Sequence, residues 1–279
     1  MAAANSRRVP RHVPWDDADF DDPPAGPGVD TSDVRIEHAD DDGDAIPDWV
    51  ITGMHDVDEL GVVKTGKEAI VTCERWTAPD GRSHLVAVKR YRPRSQRAFR
   101  REETYRDELR IPDERVARAV ANRTGFGRAI LEWQWAAREL PLLRRAWRAG
   151  VHVPYAIADL GDGLAMEFLG DEDAAAPRLV DAALDRDAAE WGLAAAVEEL
   201  CRLASIGLVH GDLSAYNLLW WRDRPWVIDF PQAVDLVRSS RGPDLLARDA
   251  RNLCTAFKRF GVVADPDEVL ASAWAAVPW

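Results

Sequence analysis

Alternation of apolar and polar residues predicts the first strands of the chain. The stretches EAIVTCERWTA, from Glu68, and HLVAVKRYR, from His84, are rich in β-branched residues, which favour a pleated sheet. The turn-forming sequence Pro79-Asp80-Gly81 lies between them. We therefore predict two neighbouring strands joined by a tight turn. The stretch AIADLGDGLAMEFLG, residues 156–170, predicts a second hairpin.

Apolar residues at helical spacing predict three helices in the rest of the chain. The first covers residues 129–150 and ends at a glycine, with Pro141 expected to kink or restart it. The second covers residues 187–207 and stops at Gly207, and the third covers residues 244–261. A first half that mixes strands with one helix, followed by a mainly helical half, indicates an α+β fold.

The composition is that of a globular protein of 279 residues, of which 47% are hydrophobic. No apolar run approaches the roughly 18 residues needed to cross a membrane, and the N-terminal sequence lacks the apolar stretch of a secretory signal. The three cysteines, Cys73, Cys201 and Cys254, are far apart, which favours neither a disulfide framework nor a zinc site. We therefore expect a cytoplasmic protein without a membrane partner.

The net charge of −12 is concentrated near the N-terminus. Residues 1–48 hold thirteen acidic residues against four arginines, a net charge of −9. This segment is rich in Asp, Pro and Gly and poor in aliphatic residues, so it cannot repay the entropy cost of folding. We predict a disordered acidic tail over residues 1–48, which either only solvates the chain or serves as a partner-binding arm.

Two basic features of the predicted strands could meet phosphate groups. Gly61 and Gly66-Lys67 fit the start of the pattern GxxxxGK[ST], but Glu68 stands where that pattern needs a hydroxyl, and a strand follows instead of a helix. The segment is therefore either a loop between two strands that covers phosphates with backbone N–H groups or a basic surface turn. Lys89 ends the strand VAVK, where it is either solvated or reaches a phosphate beside a partner carboxylate, for which we choose Glu139.

The strongest chemical signal is LVHGDLSAYNLLWWRDRPWVIDF, residues 208–230. Asp212 is followed by Asn217, and after two short apolar segments and a turn the stretch ends in Asp229-Phe230. A hairpin would bring Asn217 and Asp229 together, and a carboxylate with an amide oxygen suits Mg²⁺. Asp212 would then accept the proton of an attacking hydroxyl group. The stretch therefore indicates phosphoryl transfer, against the alternative of turn residues placed by chance.

These residues resemble those of the protein-kinase-like superfamily, and within it those of the RIO kinases. His210, Asp212 and Asn217 match the pattern H-x-D-x-x-x-x-N, and Asp229-Phe230 matches the start of D-F-G. The stretches KTGKEAIV, MEFLGDEDAAAPRLVD, HGDLSAYNLL and IDFPQAVDL resemble RIO motifs, and the long segment between VAVK and WAARELPLL resembles the family's insertion. The resemblance covers roughly residues 50–262 and is to the subfamily without an N-terminal winged helix.

The resemblance implies a two-lobed kinase fold, with a small β-rich lobe over residues 49–169 and a mainly helical lobe over residues 170–279. ATP would lie between the lobes, and Asn217 and Asp229 would hold Mg²⁺. Asp212 would be the catalytic base. The other nucleotide-binding residues that the resemblance implies are Thr65, Gly66, Lys67, Glu68, Lys89, Glu139, Met166 as the gatekeeper, and Glu167 and Leu169 of the hinge.

The resemblance also implies a serine/threonine-protein kinase, or an ATPase switch in which Asp229 takes the phosphoryl group as an aspartyl-phosphate. Such proteins act in maturation of the small ribosomal subunit, so a pre-ribosomal particle or ribosomal RNA is an expected partner. The basic run from Lys89 to Arg101 is either an RNA contact or a set of local ion pairs. No motif identifies the protein substrate.

Four positions depart from the pattern that the resemblance implies, and one of them is the family's nucleotide-loop Ser, which appears as Thr65 or is displaced to Lys64. Pro231 follows Phe230, Gly211 replaces the Arg of H-R-D, and Pro141 follows Glu139 closely enough to distort its helix. A small-molecule phosphotransferase, similar to those that act on aminoglycosides or choline, also carries HGDLxxxN and is the main alternative. A non-catalytic assembly factor that binds ATP as a structural ligand is a further alternative.

Overall fold

A computed structural model describes residues 46–67, 69–92 and 139–278. Within these ranges the chain is α+β, as the sequence predicted, with a five-stranded antiparallel sheet followed mainly by helices. The sheet has the spatial order β1-β2-β3-β5-β4. Its strands are β1 (Asp56–Thr65), β2 (Ala69–Thr77), β3 (Ser83–Tyr91), β4 (Ala156–Asp159) and β5 (Gly163–Glu167).

Both predicted hairpins of this sheet are confirmed. β2 pairs with β3 across the predicted turn, and β4 pairs with β5 across Gly161, whose φ is 79°. β3 also pairs with β5, which sets Lys89 opposite Leu164 and Ala87 opposite Met166. The strand that ends in the predicted phosphate lysine is therefore central, with strands on both sides.

The described residues form four helices, of which three were predicted. They are α1 (residues 139–148), α2 (Arg186–Ser205), α3 (Gly242–Lys258) and α4 (Pro266–Ala275). The three glycines that follow α1, α2 and α3 have φ of 76°, 67° and 80°, the left-handed conformation that ends helices. Pro141 lies inside α1, which continues unbroken to residue 148.

The helix α4 was not predicted from the sequence, although two start signals mark its beginning. The carboxylate of Asp265 accepts a hydrogen bond from the Asp267 N–H at 2.9 Å, and Pro266 occupies the first turn. The predicted tail, apart from its last residues, and the basic run beyond Arg92 lie outside the described residues. The proposed boundary between residues 169 and 170 stays a prediction.

Two short antiparallel strand pairs form in the 208–230 stretch and directly after it. β6 (Leu208–Val209) pairs with β9 (Val234–Asp235), and β7 (Leu218–Trp221) pairs with β8 (Arg224–Val227). The two residues that join β7 to β8, Arg222 and Asp223, have φ of 51° and 58°. Two left-handed turn residues match the twist of the strands they connect, so the predicted hairpin is confirmed.

Three buried apolar clusters support these elements. The largest lies under the helices and includes Phe230 and Phe257. The two others cover the sheet on opposite faces, because neighbouring residues of β3 divide between them: Val86 and Val88 belong to one, and Ala87 belongs to the other. In the part of the chain that the structure describes, no helix is long and apolar enough to cross a membrane.

Gly163 of β5 is packed so closely against β3 that a Cβ atom there would lie 1.9 Å from the Lys89 carbonyl oxygen. We predict that Gly163→Ala lowers the free energy of unfolding in urea by about 3 kcal/mol, because β3 must shift. Gly161→Ala is the comparison, since its site is open but left-handed, and it should cost about 1–2 kcal/mol. Equal losses for the two variants would contradict the steric argument.

Candidate active site

Lys89, near the end of β3, is buried between two carboxylates. Its Nζ donates to both oxygens of Glu139 at 2.8 Å and to Oδ1 of Asp229 at 2.7 Å. Glu139 is 1% exposed, whereas the side chain of Asp229 is 43% exposed. Glu139 also accepts hydrogen bonds from the Tyr91 hydroxyl and, at 3.3 Å, from the Phe230 N–H. The structure thus joins the predicted strand lysine to Glu139 and to the last aspartate of the 208–230 stretch.

These charges stabilise one another. Burial alone would lower the pKa of Lys89, but the carboxylates of Glu139 and Asp229 outweigh it and raise this pKa. Burial alone would raise the pKa of Asp229, but the Lys89 ammonium, through its charge and its hydrogen bond, holds that pKa below its usual value. Lys89 is therefore cationic and Asp229 anionic at neutral pH.

Asp212 and Asn217 lie between β6 and β7 and contact each other. Nδ2 of Asn217 donates to the Asp212 carbonyl at 2.9 Å and to its carboxylate at 3.2 Å. The Ile228 N–H donates to the Asn217 carbonyl at 3.0 Å, which sets Asn217 beside the residue preceding Asp229. His210 fixes both segments, since its Nε2 donates to the Ile228 carbonyl at 3.0 Å and its Nδ1 accepts from the Asp212 N–H at 3.3 Å.

A carboxylate that sequence reasoning missed supports this loop. Asp249 of α3 is fully buried and accepts from the N–H groups of Gly211, at 2.7 Å, and Leu213, at 2.9 Å. Burial raises the pKa of Asp249, although the nearby His210 and the two hydrogen bonds oppose that rise. The sequence signal that could have predicted this contact is the position of Asp249, a lone aspartate within the apolar stripe of a helix. A buried carboxylate without a partner would be costly there.

Backbone conformation explains two of the residues that depart from the pattern implied by the resemblance, Gly211 and Pro231. Gly211 has a φ of 80°, and a Cβ atom there would lie 2.9 Å from the Gln232 carbonyl oxygen, so an arginine is unfavourable. Pro231 is the second residue of a turn that the Ala233 N–H closes on the Phe230 carbonyl at 2.9 Å. The fixed φ of proline suits that position.

Asp229 itself has a left-handed backbone, with a φ of 72°. The next residue, Phe230, is fully buried with its ring 4.9 Å from that of His210. The chain therefore turns sharply, so that Asp229 faces Lys89 while Phe230 enters the core. Such a conformation costs free energy and persists only where neighbouring contacts fix it.

The predicted phosphate loop joins β1 to β2, in agreement with a loop between two strands. The Gly66 N–H donates to the Ala69 carbonyl at 2.9 Å, and Nε of Arg92 donates to the Gly66 carbonyl at 3.0 Å. Lys67 is exposed at the tip, and Glu68 lies outside the described residues. These bonds fix the turn on both sides of its glycine.

The side chain of Thr65 belongs to the other face of the sheet. Thr65 pairs with Ile70 and Ile70 pairs with Arg90, whereas Lys89 is in the neighbouring row. Since cross-strand partners share a face and successive residues alternate, Thr65 would meet a ligand of the loop through its backbone.

Met166, Glu167 and Leu169 lie where β5 leaves the sheet. Met166 pairs with Ala87, on the face of β3 that carries Lys89. The Glu167 N–H donates to the Tyr155 carbonyl at 2.8 Å, and its carboxylate accepts from the Tyr155 N–H at 3.2 Å. Burial raises the pKa of Glu167, although the Tyr155 N–H opposes that rise. Glu167 of the predicted hinge segment is therefore anchored to Tyr155, the residue that precedes β4.

Asn217 and Asp229 carry an amide oxygen and a carboxylate, the kinds of ligand that could hold a magnesium ion. Because Nδ2 of Asn217 faces Asp212, its amide oxygen faces away, and Asp229 has one oxygen on Lys89 and a partly exposed second one. Mg²⁺ accepts few protein ligands when phosphates and water supply the others. Within the described ranges, no group of three or more His, Cys, Asp or Glu residues could hold a metal ion, so an all-protein cage is not formed there.

Comparison with known proteins identifies the RIO domain, which matches residues 75–269. The RIO-type serine/threonine-protein kinase Rio1 of Haloferax volcanii is 36% identical over 209 residues, covering 75% of this chain and 66% of the relative. The corresponding protein of Methanocaldococcus jannaschii is 31% identical over 211 residues, with the same two coverages. Serine/threonine-protein kinase RIO3 of Caenorhabditis elegans is 31% identical over 218 residues, 76% of this chain and 39% of the relative. The chain therefore spans at most 66% of the length of these three relatives.

We predict that Lys89→Ala lowers the free energy of unfolding by about 3 kcal/mol at pH 7, because it leaves the Glu139 carboxylate buried without its cation. The pKa of Asp229 is depressed by Lys89, so the stability that this pair adds is present above about pH 4 and is lost as pH falls further. In urea titrations, the difference in unfolding free energy between wild type and Lys89→Ala should be smaller at pH 3 than at pH 7. A difference in unfolding free energy that increases at pH 3 would contradict the stabilising ion pair between Lys89 and Asp229.

We predict that Asp249→Asn loosens the loop around Gly211 and Leu213, because an amide places a donor against one of two N–H donors. The expected loss is about 1–3 kcal/mol in urea unfolding, with faster hydrogen exchange at those two N–H groups. Asp244→Asn, an exposed change in the first turn of the same helix, is the matched control. Equal exchange rates in both variants would show that Asp249 does not hold the loop.

Proposed function

We propose that this chain, which belongs to the RIO domain family, is an ATP- and Mg²⁺-dependent phosphotransferase of the serine/threonine-protein kinase type. The observation that carries the proposal is the three-way contact of Lys89 with Glu139 and Asp229, next to the linked pair Asp212 and Asn217. Phosphoryl transfer needs few protein groups, namely a cation on the phosphates, oxygen ligands for a metal and an acceptor for a proton. The names of the relatives support the same reaction.

We infer a two-lobed arrangement in which residues 49–169 form the lobe with the sheet and residues 170–279 form the other. ATP lies between them with its adenine at the hinge. Met166, Glu167 and Leu169 surround the base, and the phosphates meet Lys89 and the β1–β2 loop. The residues proposed for this contact are Thr65, the last residue of β1, and the three that follow it in sequence, Gly66, Lys67 and Glu68. The turn bonds of Gly66 support this part of the proposal, because a fixed loop can present N–H groups to an anion.

In the proposed reaction, the oxygen of a serine or threonine hydroxyl attacks the γ-phosphorus of ATP. The hydroxyl proton passes to the Asp212 carboxylate, the bond to the oxygen bridging the β- and γ-phosphates breaks, and ADP leaves. Lys89 neutralises phosphate charge, and Glu139 keeps Lys89 in place. Mg²⁺, when held by Asn217 and Asp229, neutralises further charge on the phosphates.

Asp229 is also the residue that we propose as a phosphoryl acceptor in an ATP-driven switch. Its carboxylate is ionised and partly exposed, two properties that an attacking oxygen needs. Attack on the γ-phosphorus would give an aspartyl-phosphate and ADP, and hydrolysis would restore the carboxylate. The resemblance in sequence is the support for a setting in small-ribosomal-subunit maturation, with a pre-ribosomal particle or ribosomal RNA as partner.

The test uses purified protein with Mg²⁺ and ATP labelled at the γ-phosphate, with hydroxylamine treatment of the product. We predict retained label, and loss of label with hydroxylamine would identify an acyl phosphate, which Asp229→Asn should abolish. Label that resists hydroxylamine would identify phosphate on a hydroxyl, and Asp212→Asn should then slow the transfer about 10²–10⁴-fold without abolishing ATP binding. Asp223→Asn, in the exposed β7–β8 turn, is the control that should change neither.

Three outcomes would overturn parts of this proposal. ATP consumption only after addition of an aminoglycoside or choline would favour the small-molecule phosphotransferase. ATP binding without label and without ATP consumption would favour an assembly factor that uses ATP as a structural ligand. Unchanged turnover in Asp212→Asn would exclude Asp212 as the base.

A further inference from the structure

Lys64 lies at the end of β1, and β2 separates this strand from β3, the strand that carries Lys89. Lys64 pairs with Val71 of β2, and Val71 pairs with Lys89 of β3. The three residues form one row across the sheet, and directly paired residues have their side chains on the same face. Lys64 is therefore directed to the face from which Lys89 reaches Glu139 and Asp229.

A β-bulge is responsible for this direction. The pairing of β1 with β2 shifts register between Val62 and Lys64, so that Val63 is inserted opposite Val71. Val63 packs with Cys73 and Ala87 on the face of the sheet that Lys89 shares. Without the extra residue, strict alternation would set Lys64 on the opposite face. Bulges beside active sites often redirect a side chain in this way.

The charges around Lys64 agree with that position. Lys64 is exposed, and partial desolvation by the surrounding protein lowers its pKa, the Asp229 carboxylate raises it, and the cations Arg178 and Lys89 lower it again, with a net decrease. The chain has only four lysines among its 36 basic residues, and three of them, Lys64, Lys67 and Lys89, lie on the strands and loop of this site. A flexible ammonium suits a point contact with phosphate.

We propose that Lys64 is a second phosphate-binding lysine, which the bulge in β1 holds against the terminal phosphate of ATP opposite Asp229. This inference rests on the proposed ATP-dependent function. A cation at that position would compensate the negative charge that Asp229 adds beside the γ-phosphate. It would also favour the triphosphate over the diphosphate, because ADP has no group within its reach.

Nucleotide affinity distinguishes this role from that of a solvated strand residue. Displacement of a fluorescent ATP analogue in the presence of Mg²⁺ gives dissociation constants for ATP and ADP. We expect Lys64→Gln to weaken ATP binding about tenfold or more, as loss of a charge-assisted hydrogen bond implies, with ADP binding almost unchanged. Lys64→Arg should restore most of the ATP affinity, and Lys258→Gln, an exposed change at the end of α3, should alter neither constant.

Equal losses of ATP and ADP affinity, or no loss, would overturn the role of Lys64 and leave the proposed function intact. A wild-type protein that binds neither nucleotide would instead overturn the proposed function.

A second measurement avoids variants altogether, using an ATP derivative that carries an acyl group on its γ-phosphate. The amine of a nearby lysine attacks the acyl carbon, an amide forms and ATP is released. Mass spectrometry should locate the acyl group on Lys64, with protection by ATP, and modification of Lys89 or Lys67 alone would contradict the proposal.

Discussion

The site depends on one buried cation that three distant segments share. Lys89 comes from the central strand of the sheet, Glu139 comes from α1, and Asp229 comes from the segment after β8. Burying the Glu139 carboxylate is favourable only with Lys89 in place, since removal of that cation leaves a buried negative charge without compensation. These contacts of Lys89 with Glu139 and Asp229 therefore tie the central strand of the sheet to α1 and to the segment after β8.

Backbone hydrogen bonds to buried side chains hold the remaining chemistry in place. His210 links the loop of Asp212 to the segment before Asp229, and Asp249 anchors the same loop from α3. These contacts fix main-chain atoms, so they act whatever the neighbouring side chains are. They also help to hold Asp229 in its left-handed conformation, because the neighbouring Ile228 carbonyl is bound by His210 and the Phe230 N–H by Glu139.

Sequence patterns gave the elements and the chemical groups but not every orientation. Hairpins, the stops at glycine and the Asp–Asn–Asp spacing depend on local residues, and they could be predicted. The partner of Lys89 could be proposed only by residue type, since the intervening residues carry no distance information. The role of Asp249 as a buried acceptor and the sheet face that carries Lys64 were missed. Both depend on pairing between distant segments, the first through hydrogen bonds to a loop and the second through a register shift between strands. The side-chain face of Thr65 was beyond prediction for the same reason.

The two aspartates proposed to act in catalysis, Asp212 and Asp229, have different surroundings, and the difference suits different roles. Asp229 touches an ammonium that keeps it anionic, which favours ligation of a metal or attack as a nucleophile and disfavours accepting a proton. The Asp212 carboxylate instead accepts from the neutral amide of Asn217, the kind of contact that suits a group proposed to act as a base. Exchange of the roles would require Lys89 to move from one carboxylate to the other. Glu139 prevents that movement, because it holds the same ammonium from the buried side.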